Sequence, residues 1–170
     1  MNWRLSPLLA LLLASPLVSG EEVPPPQFLE THQACLLTEA DAIPVQLEQA
    51  SDALQHRFGL MERTADTLPE NAGMLFIYQV DRGPTAGFWM YNTLIPLDIA
   101  WLDEDGVIVA MDTMEPCKTE SARQCPSWIP GVPHRDVLEM NAGFFERHHV
   151  ELGDKLVADL NDNTPCPPVD

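Results

Sequence analysis

Two acids in this chain stand where acids are costly. Asp98 interrupts the apolar run Pro96-Leu97-Asp98-Ile99-Ala100-Trp101, and Glu139 lies between Leu138 and Met140. A carboxylate in such surroundings must collect hydrogen-bond donors or hold on to its proton, because burial penalises the charged form. For Asp98 the chemical outcome is a general acid/base or a ligand anchor. The plainer outcome, a structural acid satisfied by backbone amides or by Thr93, is the one we expect, because structural networks also bury acids. Two carboxylates opening on one cleft would permit hydrolysis of a sugar, with Asp98 and Glu139 as the catalytic pair. Trp89 and Asn92 are the best ligand contacts: an aromatic plate beside an amide suits a sugar or another amphipathic small molecule. The competing role for Trp89 is ordinary core. Arg63 is the cation of the block Gly59-Leu60-Met61-Glu62-Arg63. It can pair with Asp98 or Glu139, or clamp an anionic ligand.

Other chemistry finds little footing. The sequence has no G-x-S-x-G, no H-E-x-x-H and no phosphate-binding glycine loop, and no Cys–His pair has a rationale. Met61, Met90, Met111 and Met114 fall at strand spacing, where methionine fills gaps in a core, and adjacent histidines such as His148-His149 rarely point at one ion. No metal and no cofactor is expected. His56 reads as an exposed helical residue rather than a ligand, since no second ligand stands four positions away.

These residues need elements to hold them. Residues 43–48 alternate apolar and polar, the period of a half-buried strand. Ser51 reads as the N-cap of a helix of about eight residues, with Asp52 in its first turn, His56 and Arg57 in its last, and Gly59 as its stop. Further strands are predicted at 73–78, 87–91, 97–102, 107–114, 137–140 and 155–160, and a short helix beyond Asn141. Asp103-Glu104-Asp105-Gly106 is a hairpin signal, and by that loop Asp98 falls opposite Met111. Both hairpin strands are apolar on both faces, which predicts a central, doubly covered pair. Strands dominate and connections are hairpin-like. The fold class is therefore mainly β, a β-sandwich or barrel-like and mostly antiparallel structure with one or two short helices, and α+β as the fallback.

Several blocks occur in an order that carries a resemblance: Gly59-Leu60-Met61, Gly73-Met74-Leu75-Phe76, Phe88-Trp89-Met90 with Asn92-Thr93 and Pro96-Leu97-Asp98, Leu138-Glu139 with Ala142-Gly143, and Gly153-Asp154. Together they resemble the bacterial and archaeal family called domain of unknown function 192, over residues 43–160. The resemblance implies a single-domain, mainly β, sandwich-like fold with short helices, often exported, and it implies no established activity. The insertion at 82–86 and the loop bearing Cys117 and Cys125 look like local elaborations on the family pattern.

Composition bounds the partners and the compartment. The 170 residues suit one domain, and 9 basic against 26 acidic residues give a net charge of −17. A chain that acidic repels phosphate backbones and anionic lipid, which disfavours nucleic acid and the membrane surface as partners. Residues 1–20 read as a signal peptide, with Arg4 in a basic start, an apolar run at 8–13 and small residues before Gly20. The run is too short to cross a bilayer. Residues 21–42 read as a proline-rich, acidic linker, 43–160 as the domain and 161–170 as a polar, proline-rich tail. Four cysteines allow three pairings, and sequence alone does not choose among them. For an exported protein we favour Cys117–Cys125, which staples one loop, and Cys35–Cys166, which ties the ends together. The expected function is binding of a small ligand or an envelope protein by a monomer in the periplasm or the medium. The alternatives are the hydrolase using Asp98 and Glu139, and a structural or assembly role without a pocket.

Overall fold

Alternation along the strands sets the architecture of the computed structural model, which describes residues 25–119, 121–158 and 166–167. Among these residues lie nine strands: β1 Thr31–Leu37, β2 Ala42–Ala50, β3 Ala72–Phe76, β4 Phe88–Trp89, β5 Leu97–Leu102, β6 Ile108–Met114, β7 Ser127–Trp128, β8 Asp136–Asn141 and β9 Lys155–Val157. The helices are α1, Ala53–Phe58, and α2, Phe144–Arg147. The mainly β, barrel-like class read from the sequence holds.

Seven strands form one sheet in the order β6-β5-β8-β3-β2-β1-β9, antiparallel throughout except for the parallel pair β2–β3. The sheet curls until its ends meet. A bridge joins Val107 to Lys155, and the Leu156 amide donates to the Gly106 carbonyl at 2.9 Å. Curling buries one face as an interior, where Leu36, Val45, Leu47, Leu102, Leu138 and Met140 from four strands pack against Phe144 and Phe145 of α2. The other face is covered by the chain around Leu60 and Leu68 and by the small β4–β7 sheet. It carries Met74, Phe76, Ile99, Trp101 and Val137.

β5 is buried along its whole length, as a strand covered on both sides must be. β6 is not. It is an edge strand of the large sheet, and its central residues are partly open, with Asp112 and Thr113 exposed. The hairpin register also differs from the loop count. The turn is one residue longer than read, pairing Leu102 with Ile108, and an irregularity between Trp101 and Leu102 adds a second step, so that Asp98 faces Thr113 while Met111 faces Ala100. A bulge adds a residue to one strand, and no composition signal marks where it falls.

The sheet begins at Thr31, so the stretch read as a linker contributes β1. Its Ala34, Cys35 and Leu36 are buried between β2 and β9, and Cys35 is bonded to Cys166. Pairing with β2 and β9 makes a strand of this short apolar run within an otherwise polar, proline-rich stretch. Cys117 is bonded to Cys125, and no described cysteine is free. α1 is shorter than expected and starts one residue later. Asp52, not Ser51, caps it by accepting from the Leu54 and Gln55 amides, both at 2.9 Å. Gly59, with φ 46°, ends it as read. The proposed signal peptide and most of the tail lie outside the described residues, as do 159–160 of the last predicted strand.

Candidate functional site

Directly paired residues of neighbouring strands point to the same face, and sequence neighbours point to opposite faces. Asp98 pairs with Met140 and Thr113, whereas Glu139 pairs with Ile99 and Met74. Asp98 therefore belongs to the interior face and Glu139 to the outer face beneath the covering loops. The two carboxylates read as a pair are separated by the sheet itself.

Asp98 is 2 % exposed and fully engaged. One carboxyl oxygen accepts from the Thr113 hydroxyl at 2.8 Å and the other from the Phe145 amide in the first turn of α2 at 3.0 Å. It ties the barrel wall to the helix that packs into its interior. This is the structural role expected for it, with Thr113 in the place given to Thr93. A hollow of about 500 Å³ beside it, lined by Met111, Asp112, Thr113 and Glu146, meets a carboxylate whose oxygens are already taken.

Arg63 is 3 % exposed and pairs with neither expected acid. Its guanidinium meets Glu48 at 2.7 Å, donates to the Gln27 carbonyl and to Thr67, and covers the Phe28 ring at 4.2 Å. The register explains the choice. Glu48, Met74 and Glu139 form one row across β2, β3 and β8. Two strand spacings, about 10 Å, thus separate the two acids. Arg63 reaches the nearer one and fastens the segment before β1 to the outer face.

Glu139 is left over. It is 4 % exposed, and among the described residues no donor bonds its carboxyl. Burial alone pushes its pKa up to about 8, so at neutral pH it holds a proton. The Tyr78 hydroxyl is raised as well, chiefly by burial, against the Arg82 cation and with a smaller contribution from Glu139. The carboxyl faces a recess of about 20 Å³ lined by His56, Met61, Phe76, Phe88, Trp89 and Thr93, among others. Phe76 and Phe88 meet edge to face at 5.0 Å, and His56 stacks on Tyr78 at 4.4 Å. The His56 Nε2 lies 3.0 Å from the Ala50 carbonyl, which can only accept, so that nitrogen carries its hydrogen.

Trp89 stands at the rim and is 38 % exposed, which makes it a wall of the recess rather than core. It is presented by β4, which pairs with β7 just after the Cys117–Cys125 loop; the Cys117 amide in turn donates to the Met90 carbonyl at 3.2 Å. Asn92 takes a left-handed conformation, φ 55°, and its carbonyl accepts from the Glu62 amide at 2.8 Å. That is a turn role, which Asn tolerates better than most residues. Asn92 does not line the recess. Gly73 lets β3 approach β8 here: a Cβ on it would collide with the Glu139 carbonyl and the Met140 sulfur.

Of the residues singled out from sequence, Glu139 and Trp89 come together, while Asp98 and Arg63 serve elsewhere. His56, Phe76, Phe88 and Thr93 were not read as contacts, because their convergence depends on loop packing over the outer face. A second hollow, about 480 Å³, lies by His148, His149 and Glu151. Among the described residues no group of three or more metal-ligating side chains converges, there or elsewhere.

The same fold occurs in solved structures. A protein from Sinorhizobium meliloti 1021, provisionally named a transcription regulator, is 30 % identical with a TM-score of 0.67, over 76 % of this chain and 95 % of that one. A protein of unknown function from Novosphingobium aromaticivorans DSM 12444 is 27 % identical with a TM-score of 0.66, over 84 % of this chain and 90 % of that one. No curated protein matches. The family model for DUF192, described as Uncharacterized ACR, matches residues 36–158. That span runs from β1 to β9 and takes in Trp89, Asp98 and Glu139, so the chain belongs to the DUF192 family.

Proposed function

We propose that this protein is exported and binds a small ligand in the cell envelope, in the recess headed by Glu139 and rimmed by Trp89. One observation carries the reading: Glu139, 4 % exposed and without a hydrogen bond from the described residues to its carboxyl, lines a recess with aromatic walls. The Glu139 oxygens are not among the fully enclosed polar atoms without a partner, so they stay open to the recess, where a ligand can supply the bond that the protein does not. The two disulfides fit an oxidising compartment. The leader-like first twenty residues point the same way, to the periplasm or the medium, with cleavage near Gly20.

Two-carboxylate hydrolysis finds no support, because that chemistry needs both acids on one substrate and these stand on opposite faces of a sheet. A purely structural role leaves Glu139 unexplained. The regulator name given to the Sinorhizobium relative transfers poorly, since a net charge of −17 repels nucleic acid.

Native mass spectrometry of protein purified from its own periplasm tests the proposal, with Glu139→Gln and Trp89→Ala compared. The expected result is a bound small molecule in the wild type that both variants lose. A molecule retained equally by all three would move the site elsewhere.

A further inference from the structure

We infer that the ligand of this recess is an organic amine, its primary ammonium head set against the Glu139 carboxylate and its chain lying outward over Trp89. The inference rests on the proposed binding site and names the chemistry that the site accepts.

Size decides first. A cavity of about 20 Å³ holds one group of the size of water and no sugar ring. Only the head of a ligand enters, and the rest must lie on the rim, where Trp89 offers an exposed aromatic face. Charge decides next. The carboxyl has no donor from the protein, and its titration is set by burial with no relief from a neighbouring cation, although His56 and Arg57 of α1 also line the recess. A cation brought in beside it by a ligand would ionise it. The other titratable neighbours are Tyr78 beyond β3 and Asp136 on β8, while β4 and β5 bring uncharged side chains to this side, Phe88, Trp89, Leu97, Ile99 and Trp101. The lining agrees: Phe76, Phe88 and Trp89 surround the recess, and aromatic rings attract a cation over their faces. The chain's charge of −17 draws cations to it and turns anions away.

Binding is then an exchange. The ammonium enters with its charge, the Glu139 carboxyl gives its proton to water, and an ion pair replaces a neutral acid. With that proton leaving at a pKa of about 8, roughly 0.9 proton is released per ligand at pH 7. Affinity rises about ninefold from pH 6 to pH 7 and levels off above pH 8.

The test titrates the chain that begins at Glu21 with n-butylammonium chloride, n-butanol and sodium butanoate at matched ionic strength. The Trp89 indole N–H resonance, assigned through Trp89→Phe, is the readout, and calorimetry in two buffers of different ionisation enthalpy counts protons. The expected result is a Trp89 shift with butylammonium alone and an affinity about ninefold higher at pH 7 than at pH 6. That dependence disappears in Glu139→Gln and survives in His56→Asn. An equal response to butanol or butanoate that Glu139→Gln removes overturns the ammonium inference and leaves the binding site standing. A pH-independent affinity for butylammonium overturns it too. No shift with any probe, together with identical native masses for wild type and Glu139→Gln, overturns both. Calorimetric loss of butylammonium binding in Trp89→Ala, on the exposed rim, guards against a folding artefact in the buried variant.

Discussion

Asp98 and Glu139 are two acids buried to nearly the same degree, on adjacent strands of one sheet, with opposite fates. Asp98 meets a hydroxyl and a backbone amide and becomes a fastener between wall and helix. Glu139, one register position away and facing outward, meets aromatic rings and a thioether and keeps its proton. Burial alone therefore does not mark a site. What separates the two acids is that Asp98 takes two bonds from the protein, while Glu139 takes none from the described residues and lines a recess.

The largest expected effect lies in the pH dependence of Glu139. The native state keeps a proton that the unfolded chain releases above pH 4.5, so stability falls as pH rises from 4.5 towards 8. The full loss is about 5 kcal/mol at most. Asp136 is also raised, mainly by burial, and slopes the same way. The informative quantity is therefore wild type minus Glu139→Gln. Urea unfolding at pH 5 and pH 8 should show the variant gaining on the wild type at the higher pH, and a constant difference would break the contrast between the two acids.

Asp98→Ala comes next. It strands the Phe145 amide and the Thr113 hydroxyl and should cost about 3 kcal/mol in denaturant unfolding. Asp98→Asn, which can still accept from Phe145, should cost less than half of that. Equal losses from both would mean that charge, not hydrogen bonding, fixes Asp98.

Opening the small disulfide probes the outer face alone. By loop-closure entropy, a separation of 8 residues is worth about 2.6 kcal/mol, against about 5 for the 131 residues between Cys35 and Cys166. Replacing Cys117 and Cys125 with Ser should lower stability by about that smaller amount and loosen β4–β7. Hydrogen exchange should rise at Trp89 and Trp128 and stay unchanged at Phe145. A matching rise at Phe145 would show that the two faces are not independent. Trp89→Ala should be the mildest change, within about 0.5 kcal/mol for a rim residue, while abolishing binding at the recess. A loss of several kcal/mol would return Trp89 to the core.

Much of this was legible beforehand. The strand periodicity at 97–102, the hairpin signal, the Gly59 stop and the blocks shared with the family come from local chemistry, and local chemistry is written in order along the chain. β1 was hidden because its apolar residues run consecutively from Ala34 to Leu37 without alternation, beside a polar, proline-rich stretch, and only pairing with β2 and β9 makes them a strand. The partner of Arg63 was hidden because Glu48 reaches it only through the parallel β2–β3 pairing, which joins residues from distant parts of the chain.

By itself the sequence determined that acids lie at positions 98 and 139 in apolar strands, that Trp89 follows Phe88 ahead of a turn, and that the fold is mainly β. Tertiary structure decided which acid would be satisfied. That choice follows from the bulge between Trp101 and Leu102, which brings Thr113 to Asp98, and from α2, whose first turn aims an amide at it. Glu139 was passed over by every donor because the row of the sheet that it shares holds Met74 and Ile99, and Arg63 stops at Glu48. Hydrogen bonds reach about 3 Å, so which groups meet is settled by packing rather than by the order of residues.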